Sequence, residues 1–143
     1  MDKIYVVYWS QSGNTLAMAN EIGEGIKAAG KEAVVETVSS VSTDTLKDMK
    51  AFALGCPAMG AEVLEESEME PFVAELEGTV SGKTIALFGS YGWGDGEWMR
   101  DWAARMSSAG ANVLNGEGLI CHEMPDADGL AACRSLGEQL TAL

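Results

Sequence analysis

Basic residues are scarce in this sequence. Nine lysines and arginines stand against 22 aspartates and glutamates, a formal net charge of −13. Such a chain repels nucleic acid and anionic membrane surfaces, so neither is an expected partner. Histidine occurs once, as His122, and cysteine three times, as Cys56, Cys121 and Cys133, far apart and without a C-x-x-C pair. These soft ligands do not readily assemble a zinc or iron–sulfur site, so no metal is expected and any redox chemistry calls for an organic cofactor. The thiols themselves read as buried. No apolar run approaches the roughly 20 residues that span a bilayer, and no basic region precedes the N-terminal apolar stretch, which points to the cytoplasm.

What is present suits a packed core: 47% of residues are hydrophobic and 22% charged. With 143 residues, the chain is expected to form a single domain spanning 1–143, with no linker. Ile4 to Trp9 is a continuous apolar, β-branched and aromatic run, the pattern of a strand buried on both faces of a parallel sheet. From Thr15 to Ala29, Leu16, Ala19, Ile22, Ile26 and Ala29 recur at helical spacing, and Gly30 supplies a left-handed stop. The unit repeats, with strands at 34–38, 51–56 and 84–89 and a split fifth strand at 113–114 and 119–121. Between them lie a weak helical turn at 44–48, a helix from about Ser67 to Leu76 with Pro71 in or near its first turn, and one whose Met99, Trp102, Ala103 and Met106 share a face. Leu130, Cys133, Leu136 and Leu140 mark the last helix. Trp9, Trp98 and Trp102 are core candidates. Five strands alternating with helices through right-handed crossovers predict an α/β fold with a doubly wound parallel sheet. Such sheets bind ligands beyond the carboxyl ends of their strands.

Three loops fall at that edge. Ser10, Gln11, Ser12, Gly13, Asn14 and Thr15 join the first strand to a helix start. Hydroxyls, an amide and free backbone N–H groups suit a phosphate there, although the same residue types serve as ordinary helix caps. The absent G-x-x-x-x-G-K-[ST] excludes a nucleoside-triphosphate loop, and the absent G-x-G-x-x-G argues against a dinucleotide. After the fourth strand, Ser90, Tyr91, Gly92, Trp93, Gly94 and Asp95 place two aromatics among glycines. An indole on such a loop suits stacking on a flat ligand, unless it folds back into the core. After the third strand, Pro57, Ala58, Met59, Gly60, Ala61 and Glu62 offer a thioether, a flexible peptide and a carboxylate, which by themselves also describe a plain turn.

Taken together, Ser10–Thr15, Gly55–Glu62 and Phe88–Gly96 resemble the short-chain, clostridial-type flavodoxins, and the likeness covers essentially the whole chain. The resemblance implies a five-stranded sheet of order 2-1-3-4-5 and a non-covalently bound FMN. It places the FMN phosphate in the Ser10–Thr15 loop, the isoalloxazine between Met59 and Trp93 and its pyrimidine edge near Glu62, with the backbone of Ser90 to Asp95 along the ring. It further implies that the Gly60–Ala61 peptide turns over on reduction, so that the Gly60 carbonyl accepts N5–H of the neutral semiquinone. Many relatives carry glycine, aspartate or asparagine where Ala61 stands, and alanine tolerates positive φ less well.

The function implied is that of a low-potential one-electron carrier cycling between semiquinone and hydroquinone, not an enzyme. A second electron placed among acidic residues, in loops without a cation, is costly at low dielectric. Seven glutamates between Glu62 and Glu77 either form a solvated face or steer basic redox partners; the carrier reading makes them the docking face of a monomer. The alternative is an FMN-dependent quinone or azo reductase on the same fold, which needs space over the flavin that Met59 and Trp93 are expected to close. A phospho-accepting receiver needs acids where Ser10 and Gln11 stand, and a cysteine phosphatase needs an absent C-x₅-R.

Overall fold

The protein is described by a computed structural model covering residues 3–143. Strand β1 (Lys3–Tyr8) is followed by α1 (Asn14–Ala28), β2 (Glu32–Thr37), the short α2 (Thr43–Lys47), β3 (Ala51–Gly55), α3 (Met69–Leu76), β4 (Thr84–Tyr91), α4 (Glu97–Ser108), β5 (Asn112–Val113), β6 (Leu119–His122) and α5 (Ala127–Thr141). The sheet is parallel throughout, ordered β2-β1-β3-β4-β5, and β6 also pairs with β4. Thr84 and Ile85 lie opposite Asn112 and Val113, whereas Phe88 to Tyr91 lie opposite Leu119 to His122. The fifth strand is thus interrupted, as its two separate apolar patches predict.

The alternation of side chains along each strand divides the core in two. Ile4, Val6, Ala53, Ala86 and Phe88 pack with Met18, Ile22 and Ile26 of α1 and Leu136 and Leu140 of α5. Val7, Phe52, Leu54, Ile85 and Leu87 pack with α3 and α4 on the opposite face. Both faces are therefore covered, and the central strands read as continuous apolar runs because each side of the pleat is buried. Helices α1 and α5 approach so closely that a Cβ on Gly25 would lie 2.0 Å from the Arg134 carbonyl oxygen, and one on Gly137 would lie 2.1 Å from that of Ile22. Glycine is required at both.

Trp98 and Trp102 are fully buried as expected. Trp9 is not. Strand β1 ends at Tyr8, and the Trp9 side chain only leans on the core while its Nε1 donates to Glu68 Oε1 at 3.2 Å. Helix α3 begins at Met69 rather than Ser67, because the Glu65 carboxylate accepts the backbone N–H groups of Ser67, Glu68 and Met69 and holds them in a capping turn. Strand β4 runs two residues beyond the expected end, since Ser90 and Tyr91 find partners on β6.

Candidate functional site

The carboxyl ends of β1, β3 and β4 open into one cleft of about 220 Å³. The first loop contributes Ser10, Gln11, Ser12, Asn14 and Thr15, the second Pro57, Ala58 and Met59, and the third Ser90, Tyr91 and Gly92. Of the remaining sequence candidates, Gly13, Gly60, Ala61, Glu62, Trp93, Gly94 and Asp95 do not line this cleft. Larger grooves of about 500 and 630 Å³ run along α4 and along the β2 edge, away from this convergence of loops.

The first loop ends on Gly13, left-handed at φ +96°, which caps α1 without a side chain. Ser10 Oγ accepts the N–H of Leu16 at 3.3 Å and pins the loop against the helix. The N–H groups of Ser12, Gly13, Asn14 and Thr15 take no acceptor among the described residues. A 15-residue helix thus presents a cluster of open donors and the positive end of its dipole. Thr15 is buried, and its Oγ1 accepts the N–H of Ser90 at 3.4 Å, tying the first loop to the third.

The second loop is a tight turn closed by Met59 and Val63, which exchange two backbone hydrogen bonds of 2.9 and 3.0 Å. Its left-handed residues are Gly60 at φ +46° and Glu62 at φ +56°. Ala61 lies outside the left-handed region, so the strain expected at alanine falls on Glu62 instead. Glu62 Oε1 accepts the N–H of Glu97 at 3.0 Å. Ala58 N–H donates to the Ser90 carbonyl, which joins this loop to the third one as well.

In the third loop the Trp93 indole is 65% exposed, so the core-folded arrangement does not occur. Tyr91 stands against Trp98 and His122, at ring separations of 5.8 and 5.2 Å. Asp95 is held by Arg100, whose Nη1 and Nη2 donate to its carbonyl and carboxylate at 2.9 and 3.0 Å. The loop is therefore not free of cations: Arg100 reaches it from the first turn of α4, where its spacing from Asp95 gave no loop-level signal.

A fourth segment escaped the sequence reading. Glu123 lines the cleft at φ +57°, its N–H donating to the Tyr91 carbonyl at 2.8 Å and its own carbonyl accepting from Ser90 Oγ at 2.7 Å. His122 Nε2 lies 3.2 Å from the Gly92 carbonyl oxygen. The available signal was position, because the second half of the split strand also ends at the carboxyl edge of the sheet.

The acidic run is more structural than its composition implies. Glu65 is buried; burial raises its pKa, but the Ser67 hydroxyl and the N–H groups of Met69, Ser67 and Glu68 outweigh this and hold it at about 2. Arg105 bridges α4 to α3 by donating to Glu70 and Glu77 at 2.7–2.8 Å. Glu75 accepts from Thr43 Oγ1, and Glu68 from Trp9. All three cysteines are buried free thiols, and burial pushes Cys56 up to about 12. No group of three or more metal-ligating side chains occurs among the described residues, and no described helix is long and apolar enough to cross a membrane.

A doubly wound parallel sheet whose carboxyl edge carries a helix start with open backbone N–H groups, a half-buried thioether and an exposed indole is the architecture of an α/β protein with its ligand site at that edge. The flavodoxin family model matches residues 6–137. The chain is 49% identical over 123 residues to the flavodoxin of Clostridium beijerinckii, covering 86% of this chain and 89% of that one. It is 45% identical over 135 residues to the flavodoxin of Megasphaera elsdenii, covering 94% and 96%. The solution structure of two-electron reduced Megasphaera elsdenii flavodoxin superposes with a TM-score of 0.86 at 43% identity, covering 98% and 99% of the two chains. This chain belongs to the flavodoxin family.

Proposed function

We propose that the protein holds one FMN non-covalently and carries electrons singly between partner proteins. The observation that carries this reading is the set of open N–H groups at Ser12 to Thr15, donors without an acceptor among the described residues at the start of a long helix. Four converging amide dipoles and nearby hydroxyls suit a phosphate dianion without any lysine or arginine. FMN supplies the one-electron chemistry when bound, and the chain binds and orients it.

Ser10 to Thr15 take the phosphate. Met59 and Trp93 take the two faces of the ring, Glu62 the pyrimidine edge, and the backbone of Ser90 to Asp95 the flank; Pro57, Ala58, Gly60 and Ala61 shape the remaining wall. The Gly60 carbonyl would offer an acceptor to an N–H of the bound ring. One such bond is worth about 1 kcal/mol net, and 1.4 kcal/mol corresponds to about 59 mV in a one-electron couple. Glu62 and Glu123 would place negative charge beside a bound FMN, whereas the charge of Asp95 is offset by Arg100. That unbalanced negative charge would disfavour a fully reduced, anionic FMN and so keep the potential low.

The working form is a single-domain, cytoplasmic monomer that meets basic redox partners on its acidic side around Glu62 to Glu77. It is a carrier rather than a quinone or azo reductase, because an indole stacked on the bound ring would leave no room for a second substrate. Stepwise potentiometry of the FMN-loaded protein tests the reading. Two resolved one-electron steps are expected, with negligible NADPH oxidation by the protein alone; a single two-electron wave, or a colourless chain that takes up no FMN, overturns it.

A further inference from the structure

Two of the three thiols lie together, away from the cleft. Cys121 is on β6 and Cys133 on α5, and both belong to the core on the face covered by α1 and α5. Cys133 is fully buried, whereas Cys121 keeps 8% of its surface exposed. The Cys121 sulfur rests on the start of α5, where a Cβ added to Gly129 would lie 3.0 Å from it. Cys133 stands four residues further along that helix, on the same face, and helical side chains lean back over the preceding turn. Its thiol therefore points toward the Cys121 sulfur across space that glycine at 129 leaves open. A hydrogen bond from the Cys133 thiol lowers the pKa of Cys121, against burial and the Asp126 carboxylate, which raise it. The same bond, burial and the charges of Cys121 and Glu21 raise that of Cys133. Cys121 thus ionises first, with a protonated thiol beside it. Cys56 packs in the other core, on the opposite face of the sheet.

We propose that Cys121 and Cys133 form a reversible dithiol–disulfide site, separate from the ligand cleft, whose oxidant is a small hydroperoxide. The Cys121 thiolate attacks one peroxide oxygen and the O–O bond breaks, which leaves a sulfenic acid on Cys121 and, from hydrogen peroxide, releases hydroxide. The Cys133 sulfur then attacks the Cys121 sulfur. The S–S bond forms, and the sulfenic hydroxyl departs with the Cys133 proton as water. Two thiols and one hydrogen peroxide give one disulfide and two waters, the hydroxide having taken the proton that Cys121 lost. The peroxide gains two electrons, and a dithiol reductant returns the pair to thiols. This site is independent of what occupies the cleft.

Thiol counts in denaturant test it, on the 143-residue chain with and without FMN, after hydrogen peroxide treatment and quenching with catalase. Three free thiols are expected to fall to one, and to return to three with dithiothreitol. The stretch from Met106 to Arg134 carries both cysteines, so its tryptic peptide should lose two hydrogens while the Cys56 peptide keeps its thiol. In Cys133→Ala the sulfenic acid has no resolving thiol, and Cys121 should be trapped by dimedone instead. Gly129→Ala suits the helix but puts a methyl group against the Cys121 sulfur, and is expected to slow disulfide formation about fivefold. Three thiols surviving the peroxide, a disulfide that includes Cys56, or overoxidation of Cys121 that is equally fast with and without Cys133 overturns the proposal.

Discussion

The Thr15 hydroxyl, in the first turn of α1, accepts the backbone N–H of Ser90 near the end of β4, 75 residues away. This bond ties the start of α1 to the end of β4, where the first and third loops meet at the cleft. Thr15→Val keeps the shape of the side chain and orphans a buried N–H, which costs about 1–3 kcal/mol. Urea unfolding should show that loss, and Thr15→Ser should restore most of it.

Trp93 tests the ring site without testing the fold. Because the indole is 65% exposed, Trp93→Ala is expected to leave the melting temperature within about 2 °C of the native value. FMN titration should nevertheless give an affinity weaker by about 1–3 kcal/mol, the loss of one stacking face. Unchanged affinity rejects the placement of the ring.

Glu65 makes stability pH-dependent in a defined window. Its carboxyl is held at about 2 in the folded chain, below its ordinary 4.5. The stabilisation is therefore complete above about pH 4.5 and disappears as pH falls through 2. Glu65→Ala should cost about 1–2 kcal/mol at pH 7, the usual value of a cap. That cost should shrink steadily in acid, as denaturant curves from pH 6 to 2 will show.

The three thiols should be silent in the native state. Cys56, Cys121 and Cys133 are buried, and burial keeps the Cys56 thiol protonated across the physiological range. A colorimetric disulfide reagent at pH 8 is expected to titrate none of them before denaturant is added and all three afterwards.

Docking through the acidic side predicts electron-transfer rates to a basic partner that fall as salt rises from 0.05 to 0.5 M, in stopped-flow traces. Glu66 is exposed and its side chain takes no partner among the described residues, so Glu66→Gln should slow association severalfold at low salt. Glu65→Gln, at a buried cap, should leave the salt dependence unchanged. A rate indifferent to both salt and Glu66 would place the contact elsewhere.

The three loops were legible because each follows a buried strand and carries residues that serve a backbone purpose at that point: hydroxyls at a helix start, glycines beside an aromatic, a flexible turn. The positions misread or missed share a different cause. Trp9 looked like core because its apolar neighbours did, yet the strand ends one residue earlier and its indole N–H meets Glu68. Glu123 shows no distinctive pattern of its own, and its place in the cleft follows from the pairing of β6 with β4. Arg100 reaches Asp95 only because a helical turn brings it back over the loop.

The sequence by itself determined the alternation of strands and helices, which strands are buried on both faces, and the chemistry presented at the carboxyl edge. These depend on spacing within about ten residues, where periodicity and turn preferences operate. Only the tertiary structure decided which carboxylates remain free. Glu62, Glu70 and Glu77 read alike along the chain, but one caps α4 from another segment and two bind Arg105. Those choices arise from contacts between residues as many as 35 apart, which no local pattern encodes, because the partner's position exists only once the crossovers have brought the helices together.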